Sequence, residues 1–187
     1  MKKITIISVC FFIISIASGM FTAAASLIPT EDDDSLVFDY VAEPTTYSVY
    51  VNDKNIAFDA YSIAGNNYFK LRDLAFVLSG TEKQFEVQWN PETGNIILIK
   101  DRPYTPVGGE MVSKGDDFKQ TFAVNLTMLC NSNNETDETI PIELMAFNIQ
   151  NNNYFKLRDI GALFNFGVEW EDETNRILID TNKNYLD

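Results

Sequence analysis

The sequence predicts an α+β fold made of two tandem β-β-α-β-β repeats, and three observations carry that prediction. Asn66-Asn67-Tyr68-Phe69-Lys70-Leu71-Arg72-Asp73-Leu74 returns as Asn152-Asn153-Tyr154-Phe155-Lys156-Leu157-Arg158-Asp159-Ile160, 86 positions on (152 − 66 = 86). Each copy is followed by a Phe-x-Val-x-Trp segment, Phe85/Val87/Trp89 and Phe166/Val168/Trp170. Between these landmarks the apolar spacing changes from two to that of a helix: Leu71, Leu74, Ala75, Leu78 in one copy and Leu157, Ile160, Gly161, Phe164 in the other. A repeat this long marks a duplicated structural unit.

The elements follow in order. Residues 1–25 read as a signal peptide: basic Met1-Lys2-Lys3, an apolar run from Ile4 to Phe21, and small residues with Ala23 and Ala25 at the −3 and −1 positions of a cleavage site. An uncleaved anchor is disfavoured by Ser8, Ser15, Ser18 and Gly19 within the run. Residues 26–46, centred on Glu31-Asp32-Asp33-Asp34, read as an acidic flexible leader, a solvated run rather than a cation site. Repeat 1 occupies 47–112. Tyr47, Val49 and Val51 alternate with polar neighbours as a strand does, Asn52-Asp53-Lys54-Asn55 turns, and Ile56, Phe58 and Ala60 continue a hairpin. A helix over 71–79 stops at Gly80, with Asp73 in its first turn. Phe85 to Trp89 and Ile96 to Ile99 supply two strands around an Asn-Pro-Glu-Thr-Gly-Asn turn. Asp101 to Glu110, rich in Pro and Gly, reads as an extended connector. Repeat 2, residues 113–187, follows the same plan: strands at 121–129 and 140–149 around a polar loop, a helix at 157–164, and strands at 166–170 and 176–180.

Composition narrows the chemistry. Removing the signal leaves 162 residues (187 − 25) with 12 basic against 27 acidic side chains, a net charge of −15 that repels nucleic acid and anionic membranes. There is no histidine, and Cys130 is the single cysteine of the mature chain, so no internal disulfide forms. Copper and zinc sites lose their usual nitrogen ligands, and nucleophiles paired with histidine are excluded. Asp180-x-Asn182-x-Asn184 opens like an EF-hand loop, but Tyr185 stands where glycine is needed and the chain ends before the closing glutamate. Carboxylate chemistry of the glycosidase kind remains formally open through Glu86, Glu169, Glu171, Asp172 and Glu173. Glu86 and Glu169 take the polar phase of their strands, which places them in solvent.

Tyr-Phe-Lys-Leu-Arg-Asp-Leu/Ile, a helix, Val-x-Trp, an Asn-bearing turn and Ile-x-Leu/Ile strands together resemble the copper amine oxidase N-terminal-like domain, or stalk domain, of secreted Firmicutes proteins. Pro103-Tyr104-Thr105-Pro106-Val107-Gly108-Gly109-Glu110 resembles a linker of clostridial members. The resemblance covers about Tyr47 to Asp180. It implies a small antiparallel sheet wrapped on one helix in each repeat, and a non-catalytic appendage that carries neither copper nor a quinone.

The resulting expectation is a secreted, non-catalytic structural or binding module of the cell envelope. It is extracellular or wall-associated, without a cofactor, and bound to a cell-wall polymer or another envelope protein. It has no nucleic-acid partner and no stable membrane insertion after signal cleavage. Alternatives are a carbohydrate-active protein using paired carboxylates and a secreted ligand binder or inhibitor. The motif residues Tyr68, Phe69, Leu71, Arg72, Asp73, Trp89, Tyr154, Phe155, Leu157, Arg158, Asp159 and Trp170 are expected to encode the fold. Each Arg pins a helix start to the sheet, and each Trp lies in the core beside its Phe and Val. Tyr50, Tyr61 and Tyr104, with Tyr68 and Tyr154, are the exposed aromatics available for stacking on a ligand.

Overall fold

The computed structural model describes residues 39–131 and 139–186. The signal segment, most of the acidic leader and most of the polar loop of repeat 2 lie outside them. The chain order is β1 (Asp39–Pro44), β2 (Ser48–Val51), β3 (Lys54–Ile56), β4 (Ala60–Ile63), β5 (Asn66–Lys70), α1 (Leu71–Leu78), β6 (Phe85–Asn90) and β7 (Asn95–Lys100). It continues with β8 (Lys119–Asn131), β9 (Thr139–Ile149), β10 (Asn152–Lys156), α2 (Leu157–Phe164), β11 (Gly167–Glu171) and β12 (Arg176–Asp180).

The α+β expectation is overturned. Among the described residues the molecule is mostly β, with twelve strands in two sheets and two helices of eight residues each. Helices of two turns are too short to be stable alone and persist only by packing. Residues 39–44, read as part of the leader, form β1. Copy 2 also fuses strands that copy 1 keeps apart. β8 stands where β1 and β2 are interrupted after Pro44, and β9 stands where β3 and β4 are interrupted at 57–59.

Nor does each repeat own its sheet. The larger sheet runs β1-β4-β5-β10-β9-β8-β7-β6, and β1 also pairs with β8. Six strands from both copies therefore close into a ring, and the β7–β6 hairpin extends from the far half of β8. The smaller sheet runs β11-β12-β2-β3. β7 joins β8 in parallel (Leu98 opposite Cys130), and β12 joins β2 in parallel (Ile179 opposite Val51). The last hairpin of each copy thus completes the first hairpin of the other.

An approximate twofold axis relates the copies. β5 and β10 pair antiparallel with Phe69 opposite Phe155, Lys70 opposite Tyr154 and Tyr68 opposite Lys156. β1 and β8 pair antiparallel with Val41 opposite Gln120. Each pairing sets a segment against its own counterpart, as a self-complementary dimer interface does.

Two cores result. Ala42, Tyr61, Ile63, Tyr68, Phe147, Ile149 and Tyr154 cluster inside the ring. There Tyr61–Tyr154 and Tyr68–Phe147 meet edge to face at 5.4 and 4.9 Å, mirror pairs about the twofold. The second core joins the helices to the sheets: Leu71, Leu74 and Leu78 of α1 and Leu157, Ile160 and Phe164 of α2 are buried with Phe85, Phe155 and Phe166. Each such side chain contributes about 1.5–3 kcal/mol. Phe85 stacks on Phe164 across the copies, ring centroids 3.7 Å apart. At Gly161 a Cβ would lie 2.8 Å from Val168 Cγ2, so a larger residue there would push the Val168 side chain aside.

Candidate functional site

The twofold produces a matched pair of clefts. Each starts where a Tyr-Phe-Lys strand turns into a helix. Lys70 and Lys156 cap α1 and α2 in extended conformation (ψ 129 and 126°). Arg72 and Arg158 therefore fall in the first helical turn. The first cleft, about 360 Å3, is lined by Lys70, Arg72, Val87, Trp89 and Ile96, with the turn Asn151 to Asn153 of the other copy. The second, about 320 Å3, is lined by the counterparts Lys156, Arg158, Val168, Trp170 and Ile177, with the turn Gly65 to Asn67. Each cleft is incomplete without the opposite repeat.

Trp89 and Trp170 are not core residues: they are 55% and 36% exposed. The reason is length. A helix of eight residues is about 12 Å long, whereas β6, with six residues, extends about 20 Å. The helix covers Phe85 and Val87, both buried, and the same strand phase then carries Trp89 past its end into the cleft. Trp170 meets Tyr47 edge to face at 4.6 Å, and Tyr47 also lines the second cleft.

The first cleft is walled by the chain itself. Gly108, Gly109, Glu110, Val112 and Lys114 line it. Residues 101–115 are therefore a docked strap and not a free extended connector. Its attachment is a buried polar network. Lys70 Nζ donates to Val112 O at 2.9 Å and lies 3.0 Å from Asp73 Oδ2 and 3.9 Å from Asp59 Oδ2. Asp73 Oδ1 accepts the Met111 N–H at 3.0 Å, and Asp59 Oδ1 accepts the Lys114 N–H at 2.8 Å. The Tyr154 hydroxyl, from the other copy, donates to Asp59. Further along, Tyr104 donates to Glu110 Oε1 at 2.7 Å, and the N–H groups of Val107 and Gly108 donate to the same carboxylate. Glu86 accepts the Thr105 N–H at 3.1 Å. Strand phase had placed Glu86 in solvent; it is buried beneath the strap.

Burial raises the Asp73 carboxyl above its usual range, against the lowering pull of Met111 N–H and Lys70. Burial also pushes Glu110 up, but the Tyr104 hydroxyl and the strap's N–H groups outweigh it and bring Glu110 to about 2. Tyr104 rises to about 12, first through burial and then through Glu110; Arg72 lies beside its hydroxyl and pulls the other way. Burial and the Asp59 carboxylate push Tyr154 well up.

The second cleft carries the same motif in a different state. Lys156 makes no ion pair among the described residues. Arg158 Nη1 donates to Val168 O at 3.3 Å, the helix-to-sheet pin expected of it. Glu169 is taken by Lys183 at 2.8 Å. Where the first copy has Asp59, the second has the exposed Met145.

The expected stacking tyrosines are elsewhere. Tyr61 (1% exposed), Tyr68 and Tyr154 fill the ring, and Tyr104 (5%) is a buried residue of the strap itself. Tyr50 is half-buried with the Arg176 guanidinium 4.8 Å from its ring. Phe69, Phe155, Leu71 and Leu157 are core residues, and Asp159 is half-buried. Asp59, Tyr47 and the lysines of the repeat escaped the sequence reading. The mismatch Asp59/Met145, just ahead of the matching Asn66–Asp73 motif, was the available signal.

Comparison with protein-family models, curated proteins and solved structures yields no match.

Proposed function

We propose that this is a non-catalytic binding module of the cell envelope, secreted and engaging a wall polymer or another envelope protein through its tryptophan clefts. One observation carries the reading: both copies place an exposed tryptophan beside a helix-start arginine in a cleft completed by the other copy. Exposed tryptophan with a neighbouring cation is a common composition for a recognition site. The likeness of the repeated motif to the stalk domain, a non-catalytic appendage, points the same way.

One observation favours carboxylate catalysis instead. Asp73 is raised and Glu110 lowered in a single cleft, a split that acid–base pairs use. The geometry weighs against it. Asp73 is 1% exposed, one oxygen holds the Met111 N–H and the other faces Lys70. A proton there has no route to a substrate.

The test is a pull-down of the secreted protein on purified cell wall, with and without Ca2+. Retention lost in Trp170→Ala and unchanged in Asp73→Asn supports binding without catalysis. Absence of retention rules out the wall polymer as partner, and wall hydrolysis abolished by Asp73→Asn overturns the reading.

A further inference from the structure

The two clefts are related by the twofold, and the strap that walls the first describes a ligand for the second. One wall of the first cleft is a piece of polypeptide in loop conformation, bent by positive φ at Gly108, Gly109 and Met111. Lys70 takes one of its carbonyls, Asp73 takes one of its N–H groups, and its carboxylate, Glu110, lines the cleft with Arg72. In the second cleft Lys156, Arg158 and Trp170 recur at the twofold-related positions, and no strap residue lines it. Lys156 has no anionic partner among the described residues, and Glu169 is neutralised by Lys183.

We propose that the second cleft is a receptor for an acidic peptide segment in loop conformation, supplied by another protein and held as the strap is held in the first. Lys156 receives a backbone carbonyl, Arg158 the carboxylate, and Trp170 with Tyr47 the apolar neighbours of that residue. The proposal rests on the binding-module reading and names its ligand class. A peptide fits better than a sugar because the matched site already holds one, through main-chain groups that any sequence offers. Exposed Arg158 and half-buried Lys156 give the site its preference for an acidic segment, against the negative charge of the whole chain.

The probe is a fluorescein-labelled synthetic peptide with the sequence of residues 103–115, titrated into the full-length protein and followed by anisotropy. The covalent strap holds the first cleft, so binding in trans reports on the second. Saturable one-to-one binding is expected. It should weaken at least tenfold in Arg158→Ala or Lys156→Ala, weaken similarly when the peptide carries Glu110→Lys, and stay unchanged in Lys54→Ala. These residues are at least partly exposed, so their loss leaves the fold intact. No saturable binding, or binding insensitive to Arg158, overturns the proposal. Loss in Arg72→Ala instead of Arg158→Ala also overturns it, since the peptide would then be exchanging with the strap. Retention on purified wall through Trp170 without peptide binding defeats this inference and leaves the binding-module reading standing. Peptide binding without wall retention restricts that reading to protein partners.

Discussion

Lys70 and Lys156 end equivalent strands, cap equivalent helices and sit opposite each other's neighbours across the twofold. Lys70 is buried among Asp59, Asp73 and the Val112 carbonyl; Lys156 is half-buried and makes no ion pair among the described residues. The motif around them is the same, so the motif sets the backbone path and not the chemistry. Among the differences are one aligned position beside the lysine, Asp59 against Met145, and whether a segment of this chain walls the cleft. Duplication has given one scaffold two sites, of which one serves folding and the other is left open.

The largest effect should come from cutting the pair apart. Four of the strand pairings, β5–β10, β1–β8, β7–β8 and β12–β2, join one repeat to the other. Residues 26–112 and 113–187 expressed separately should therefore show no cooperative thermal transition, and mixing them should restore one. Independent melting of each fragment would break the intertwined account.

Next in size is the lysine pair. Lys70→Ala leaves Asp59 and Asp73 buried without their cation, a loss of about 3–5 kcal/mol, or roughly 10 °C in Tm for a chain of this size. Lys156→Ala removes nothing buried and should stay within about 0.5 kcal/mol. Equal losses in denaturant melts would erase the distinction between the clefts. Tyr154→Phe should fall between them, at about 1–3 kcal/mol, because it withdraws the donor to buried Asp59.

The strap adds a pH dependence whose sign is fixed by Glu110. Its carboxyl is held at about 2 in the folded protein, below its unfolded value near 4.3. The stabilisation it brings is therefore complete above that unfolded value and is lost as pH falls towards 2. Asp73, raised by burial, acts with the opposite sign. Comparing the wild type with Glu110→Gln isolates the strap: the two Tm curves should converge as the pH drops from 5 to 2. A constant gap would mean Glu110 does not tie the strap down.

Trp170→Ala and Trp89→Ala should also change stability little, within about 1 kcal/mol, in contrast to a core tryptophan at about 3–5 kcal/mol. Quenching by acrylamide should reach both rings.

Much of this fold was legible in the sequence and some was not, for identifiable reasons. The helices at 71–78 and 157–164 and the hairpins after them follow from local periodicity, which the Leu71/Leu74/Leu78 and Phe85/Val87 patterns display. Pairing between copies leaves no local mark. Nothing in Leu98 or Cys130 says that their strands adjoin, so a self-contained sheet for each repeat was the natural and incorrect reading. The tryptophans were misplaced because alternation gives a strand's face but not how far the covering helix reaches. Tyr61, Tyr68 and Tyr154 were misplaced because a closed ring has an inside that an open sheet lacks. At the clefts, the repeated Lys-Leu-Arg-Asp was visible. Its division into a walled and an open site was not, because that depends on a strap two of whose docking partners, Asp59 and Glu86, lie outside the repeated Asn-Asn-Tyr-Phe-Lys-Leu-Arg-Asp motif.

The central claim is that equivalent lysines of the two copies are in opposite states. It is tested most directly by the rate at which each is acetylated in the native protein, read by peptide mass spectrometry over time. Lys156 should react at a rate close to that of exposed lysines such as Lys54. Lys70 should react at least a hundredfold more slowly and reach the same rate only on unfolding. Equal native rates for Lys70 and Lys156 would contradict the account.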